Sequence, residues 1–334
     1  DIIEQVFSDP ALNGWEGFGL ALQAYQKRAS YVIDWLAALS KRNKRRLMLR
    51  LVKGAYWDAE IKVSQIQGFS GYPVFTRKNS TDVSYIACAK KIFANIDCFY
   101  PQFGTHNAYS VAAIMEMAGD KEFEFQCLHG MGRPLYDQVV DVAQFNKPCR
   151  IYAPVGTHKD LLGYLVRRLL ENGANSSFVN KLADDKTPIE KMVVNPVARI
   201  AALARKPHPF IASPEDIYPD WKNSSGIDLS NQHVFDDLKV KMDKIAANKW
   251  SVGSIVNGKA HIDANAVAVF SPSNATEMIG HVSKADEALT ETALDVADKA
   301  TKTWSNMSVE DRAQILERAA DLFQAEMPTL ITIL

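Results

Sequence analysis

Short apolar runs alternate with amphipathic stretches from residue 15 to about residue 175. Gly17–Gln23, Arg46–Val52, Ile96–Phe103, Glu122–Leu128 and Arg150–Gly156 each read as a strand, being brief, aliphatic or aromatic, and closed by glycine or polar residues. Tyr31–Lys41 reads as a helix with Trp35, Leu36 and Leu39 inward, and further helical stretches fall around 59–67, 82–94 and 110–118. A helix over 159–172 follows the fifth strand, with Thr157 and Asp160 spaced as a variant capping box and Gly173 placed to end it. Strict alternation of this kind predicts a parallel α/β sheet or barrel. Polar residues gather at the strand C-terminal ends (Gln23, Lys53, Thr105-His106-Asn107, His129, Tyr152), which is the functional face of a (β/α)8 barrel. Five strands are visible, so the expected barrel is incomplete and lacks its N-terminal strands.

The pattern breaks between residues 185 and 235, where Pro188, Pro196, Pro207, Pro209, Pro214 and Pro219 precede Asn223-Ser224-Ser225-Gly226. Beyond it lie a charged helix (Val234–Asn248), strand-like Gly253–Gly258 and Val267–Phe270, and two long helices, Ser283–Trp304 and Val309–Met327. This reads as the opening of a second domain. The chain starts at Asp1 and stops in Leu330-Ile331-Thr332-Ile333-Leu334, so both ends read as cut from something longer.

Arg50 is the most informative polar residue. It sits within Arg46-Leu47-Met48-Leu49-Arg50-Leu51-Val52, directly before Lys53-Gly54-Ala55-Tyr56-Trp57. A guanidinium there needs an anionic partner if buried, and the glycine permits close backbone approach. Anionic ligands of α/β proteins bind at such strand ends, although an edge strand with its Arg in solvent fits equally well. On the 159–172 helix, Tyr164, Arg167, Arg168 and Glu171 share one face. That face is either solvated, with an Arg167–Glu171 pair, or a two-arginine clamp for a carboxylate.

His106 and His129 have no neighbouring ligand set for a metal, and hydrogen bonding suits them better. No nucleophile elbow, phosphate-binding loop or dinucleotide glycine motif stands at a strand–helix junction. The 334 residues are 47% hydrophobic and 23% charged with a formal net charge of −1, which gives no support to nucleic-acid binding by the bulk of the chain. Cys88, Cys98, Cys127 and Cys149 lack metal-type spacing and read as reduced thiols of a cytoplasmic protein. No apolar stretch approaches the roughly 18 residues a membrane span needs.

Four segments in order, Arg46–Trp57, Phe125–Met131, Arg150–Gly156 and Tyr164–Asn172, closely resemble the proline dehydrogenase domain of the bifunctional proline utilization A (PutA) family. The resemblance covers about residues 1–205, then a linker over 206–235. Residues 236–334 are similar to the N-terminal opening of an aldehyde dehydrogenase domain. The resemblance implies a (β/α)8 barrel, of which this chain holds about strands four to eight. It implies FAD-dependent oxidation of L-proline to Δ1-pyrroline-5-carboxylate, with electrons passed to membrane ubiquinone by a cytoplasmic homo-oligomer that associates peripherally with the inner membrane. Nucleic acid would be a partner only where an N-terminal DNA-binding domain is present.

By the same resemblance, Arg50 lies beside the flavin ring and acts catalytically, stabilising the charge that the ring gains. Gln23, Val52, Lys53, Gly54, Ala55 and Trp57 line the cofactor, as do Thr76, Lys78, Thr105, His106, Asn107, Gln126, Leu128 and Glu171. Arg167 and Arg168 hold the proline carboxylate, and Leu51, Tyr56, Tyr152 and Tyr164 wall the pocket. The family's substrate lysine and flavin-site aspartate belong to earlier strands, and its aldehyde-oxidising cysteine and NAD-binding loop lie beyond residue 334. Two other readings stay open: a non-catalytic fragment, and a barrel enzyme in which Lys53 forms a Schiff base.

Overall fold

The computed structural model describes residues 2–173 and 195–334, the side chains of 169–173 excepted. The chain divides into two compact units, Asp1–Ile66 with Ser70–Lys222, and Gln67–Phe69 with Asn223–Leu334.

In the first unit, strands β1 (Gly19–Gln23), β2 (Leu47–Val52), β3 (Phe99–Gly104), β4 (Glu124–Leu128) and β5 (Cys149–Tyr152) form one sheet in sequence order, every neighbouring pair parallel. Helices α1 (Ile2–Phe7), α2 (Ala29–Asn43), α3 (Trp57–Ile66), α4 (Lys78–Ala94), α5 (Ala108–Ala118), α6 (Arg133–Val140), α7 (His158–Gly173) and α8 (Pro196–Ala201) accompany it. Ordered parallel pairing with helical crossovers is the (β/α) barrel plan. Among the described residues the sheet carries five strands, with β1 and β5 at its edges.

Period-two alternation decides which face each side chain takes. On β2, Leu47, Leu49 and Leu51 are fully buried while Met48, Arg50 and Val52 are half-buried. The leucines join Phe99, Phe103, Phe125 and Cys127 in a core with Ile33, Leu36 and Leu39 of α2, Tyr85, Ala89 and Ile92 of α4, Val111 and Ile114 of α5, and Val139 of α6. The opposite, open face carries Arg50, Tyr100, Gln102, Glu124, Gln126 and Tyr152. Trp35 is not part of that core. It lies 36% exposed on α2, whose buried face is set instead by Ala29, Ile33, Leu36, Ala37, Leu39 and Ser40.

Local signals end the elements. Lys44, with φ of 52°, terminates α2 in the left-handed region. Asn107 Oδ1 accepts from Ser110 N–H (3.0 Å) at the start of α5. Asp160 N–H donates to Thr157 Oγ1 (3.4 Å) at the start of α7. The last strand stops at Tyr152, short of the expected Gly156, because Pro154 carries no N–H for a ladder.

The second unit pairs β6 (Trp250–Val256), β7 (Lys259–His261), β8 (Val267–Phe270) and β9 (Met278–Ser283) in the order β7-β6-β9-β8. The β6–β7 hairpin turns on Asn257-Gly258, both with positive φ (47° and 74°), the signature of a type I′ turn. Helices α9 (Gln232–Ala246), α10 (Glu287–Asn306), α11 (Val309–Ala325) and α12 (Met327–Ile333) complete it. The expected helix over 283–304 begins at Glu287, since 278–283 is strand and Asp286 caps the helix by accepting from Leu289 N–H (2.8 Å). No helix among the described residues is long and apolar enough to cross a membrane.

Candidate active site

Arg50 leaves the middle of β2 on the open face, and its guanidinium carbon stands 4.8 Å from the centre of the Tyr152 ring. Arg50 Nε–H donates to Gln126 Oε1 at 2.8 Å. Among the described residues no carboxylate pairs with it. The neighbouring strand makes room for this pose, since a Cβ at Gly104 would come within 3.3 Å of Arg50 Nη2. Burial raises the Tyr152 hydroxyl pKa, and Arg50 and Arg168 pull it back. The alternative of an edge-strand arginine reaching solvent is therefore excluded, because β2 is interior to the sheet.

Helix α7 presents its polar side to the protein. Tyr164, Arg167 and Arg168 are half-buried, whereas Leu162, Leu165 and Val166 are 53%, 44% and 44% exposed. A solvated polar face would show the reverse. Arg167 lies 4.1 Å from the centre of the Tyr56 ring and Arg168 lies 5.0 Å from that of Tyr164. These separations are in the range where ring quadrupoles attract cations. The side chain of Glu171, and with it the expected Arg167–Glu171 pair, lies outside the described residues.

At the end of β2, Lys53 Nζ donates to the Asp82 carboxylate and stands over the Tyr85 ring. An ammonium held in an ion pair is not the free amine that a Schiff base needs, so the carbonyl-trapping alternative has lost its support. Gly54 has φ of 139°, and a Cβ there would fall 2.5 Å from the Tyr25 ring. Ala55 N–H donates to Gln23 Oε1 (3.2 Å), joining the ends of β1 and β2. Trp57 Nε1–H donates to Phe75 O (2.8 Å). Val52 lies on the open face beside Arg50.

Past β3, Thr105 is buried and its Oγ1 accepts from Asn107 N–H (3.2 Å). His106 Nε2 accepts from Leu128 N–H (3.2 Å), which places its ring proton on Nδ1. Burial and then the charge of Arg168 lower the His106 pKa, so the ring is neutral and serves as an acceptor. The ring lies against Gly132, where φ is 68° and a Cβ would fall 2.8 Å from His106 Cδ2. Among the described residues no group of three or more metal-ligating side chains converges.

Not every expected residue joins this cluster. Leu51 is fully buried in the helix-covered core, across the sheet from Arg50, because one residue along a strand reverses the side chain's direction. The structure thus corrects its expected place as a pocket wall. Thr76 Oγ1 is taken by His208 N–H (2.9 Å), and Lys78 opens α4 in an exposed position. Sequence reasoning passed over Glu124, Gln102 and Arg150, which lie beneath Gln126 on the same open face. Their alternate spacing on β3, β4 and β5 was the available signal.

Residues 1–181 match the proline dehydrogenase family and residues 260–334 match the aldehyde dehydrogenase family. The chain is 47% identical over its full length to the bifunctional protein PutA of Klebsiella aerogenes, of which it covers 26%. It is 43% identical over 99% of its length to that of Rhizobium meliloti, of which it covers 27%. A crystal structure of bifunctional PutA superposes with a TM-score of 0.81 at 43% identity, covering 99% of this chain and 31% of that one. The PutA of Bdellovibrio bacteriovorus inactivated by N-propargylglycine gives 0.82 at 27% identity, with 99% and 34% covered. The chain spans about a quarter of the length of the curated relatives it matches. With its first 181 residues matched and the parallel α/β sheet in place, the chain belongs to the proline dehydrogenase family.

Proposed function

We propose that the first unit takes part in the FAD-dependent oxidation of L-proline to Δ1-pyrroline-5-carboxylate. The observation that carries this reading is the convergence of three guanidiniums, Arg50, Arg167 and Arg168, with Tyr56, Tyr152 and Tyr164 at the C-terminal ends of β2 and β5. Such a set suits a small zwitterion bearing a carboxylate and an apolar ring.

The residues present fit a flavin. Arg50 is a fixed donor without a carboxylate partner among the described residues, and its geometry matches a ring that gains negative charge. Gln23, Val52, Lys53, Gly54, Ala55, Trp57, Thr105, His106, Asn107, Gln126 and Leu128 would hold the cofactor, and Thr76, Lys78 and Glu171 enter this reading by family resemblance alone. When bound, FAD supplies the acceptor for the hydride leaving proline C5. Arg167 and Arg168 fix the substrate carboxylate and thereby the distance of its ring carbon. The tyrosines exclude water from that carbon.

In this reading the barrel segment is 1–205, the linker 206–235 and the aldehyde dehydrogenase segment 236–334, with NAD belonging to the latter's family. Ubiquinone at a membrane surface is the proposed electron acceptor, and a homo-oligomer the proposed assembly. The test is to add FAD to the purified protein and follow visible absorbance, then add L-proline without oxygen. Flavin uptake followed by bleaching is expected. Protein that stays colourless overturns the reading and favours a non-catalytic fragment.

A further inference from the structure

Glu124 is sealed on the open face of β4 with 3% of its surface exposed. Its Oε1 accepts from Gln102 Nε2 (2.8 Å), Gln126 Nε2 (2.8 Å) and Arg150 Nε (2.9 Å). Its Oε2 accepts from Arg150 Nη2 (2.9 Å) and Tyr100 Oη (3.4 Å). A buried carboxylate is tolerated only with such a set of donors. Gln126 continues the chain, because its Oε1 receives the proton of Arg50 Nε–H (2.8 Å).

The chemistry leaves the amide one orientation. A guanidinium only donates and an ionised carboxylate only accepts. Gln126 stands between one of each, so its NH2 group must face Glu124 and its carbonyl must face Arg50. With a neutral side chain at 124 only Arg50 still selects the carbonyl, and whenever the amide turns over Arg50 meets a second donor and turns away. We propose that Glu124 is a positioning residue for Arg50, acting through the amide of Gln126. Arg150 and Gln102 hold Glu124 in turn, so four strands contribute to the pose of one guanidinium. The link from Glu124 to Arg50 stands on geometry alone, and its consequence for catalysis rests on the flavin reading above.

The experiment measures hydrogen exchange of the Arg50 Nε–H by 15N NMR in the full chain without added cofactor, with Arg50→Lys identifying the resonance. Glu124→Gln is expected to speed that exchange about tenfold, the loss of one hydrogen bond to a charged group. Glu124→Asp, which keeps the charge but withdraws it by one methylene, should give an intermediate rate and covers the case in which the glutamine variant does not fold. Arg150→Met takes away one of the groups that hold Glu124, so it should lower the melting temperature and speed Arg50 exchange, by less than Glu124→Gln does. Unchanged exchange in both Glu124 variants, with melting temperatures lowered, overturns the proposal and reduces Glu124 to a structural anchor. In FAD-loaded protein, Glu124→Gln should shift the flavin midpoint potential in the same direction as Arg50→Met. Failure of the wild-type chain to take up FAD would overturn the flavin reading, while the exchange measurement would still decide the role of Glu124.

Discussion

Replacing Leu51 by alanine separates a core role from a pocket role. Leu51 is fully buried and stands in register between Leu22 of β1 and Phe103 of β3, each facing the helices. The substitution removes three carbons from that row. Transfer alone costs about 2.4 kcal/mol at about 0.8 kcal/mol per buried carbon. The hole left beside Phe103 adds a cavity term, because strands paired on both sides cannot collapse into it, and the total comes to about 3 kcal/mol. Equilibrium urea denaturation followed by far-UV circular dichroism should show the first unit's midpoint falling by about 1.5 M, taking a slope of about 2 kcal/mol per molar. A loss below about 1 kcal/mol together with a raised proline KM would refute the placement of Leu51 and return it to the substrate pocket.

Four other outcomes follow from the site. Arg167→Met should raise the proline KM at least about tenfold while leaving FAD content unchanged, and equal loss of both would contradict the clamp. Gly54→Ala should cost about 1–3 kcal/mol, since its φ of 139° is strained for any side chain and its Cβ would meet Tyr25, and an unchanged melting temperature would count against that. Burial alone would raise the Glu124 pKa, but hydrogen bonds from Arg150 and Gln126 outweigh it and hold the acid below the usual carboxylate range. The ionised form thus stabilises the fold fully above the unfolded value of about 4, and that stability is lost as pH falls through the lower folded value. The advantage of wild type over Glu124→Gln in urea should therefore be level at neutral pH and shrink in acid, and a constant difference would be the refuting result. Burial and the adjacent Cys127 sulfur (3.7 Å away) push the Cys149 thiol up to about 12, so iodoacetamide should label it far more slowly in native protein than after unfolding.

The strands of the first unit were legible because each is a short apolar run with a polar closing residue, and β1 to β5 fall within a few residues of their expected places. Helix α6 was hidden by Gly130-Met131-Gly132-Arg133-Pro134, which reads as loop. In the structure Gly132 caps the helix with positive φ and Pro134 sits in its first turn, where a missing N–H costs nothing. Strand β9 was hidden by Gly280, which is there because a Cβ would strike Trp250 O. The clustering of Arg50, Tyr152 and the α7 arginines depends on the sheet order and on the turn that aims α7, which no local pattern encodes. Leu51 was placed by family resemblance against its own parity, and the strand period was the better guide.

That parity has an evolutionary consequence. The six residues of β2 spell two messages interleaved letter by letter, Leu47, Leu49 and Leu51 for the helices and Met48, Arg50 and Val52 for the open face. Inserting or deleting a single codon there would swap the guanidinium with an isobutyl group and scramble both messages at once. Length changes must therefore be confined to the connecting turns, and chemistry on this strand can drift only in steps of two.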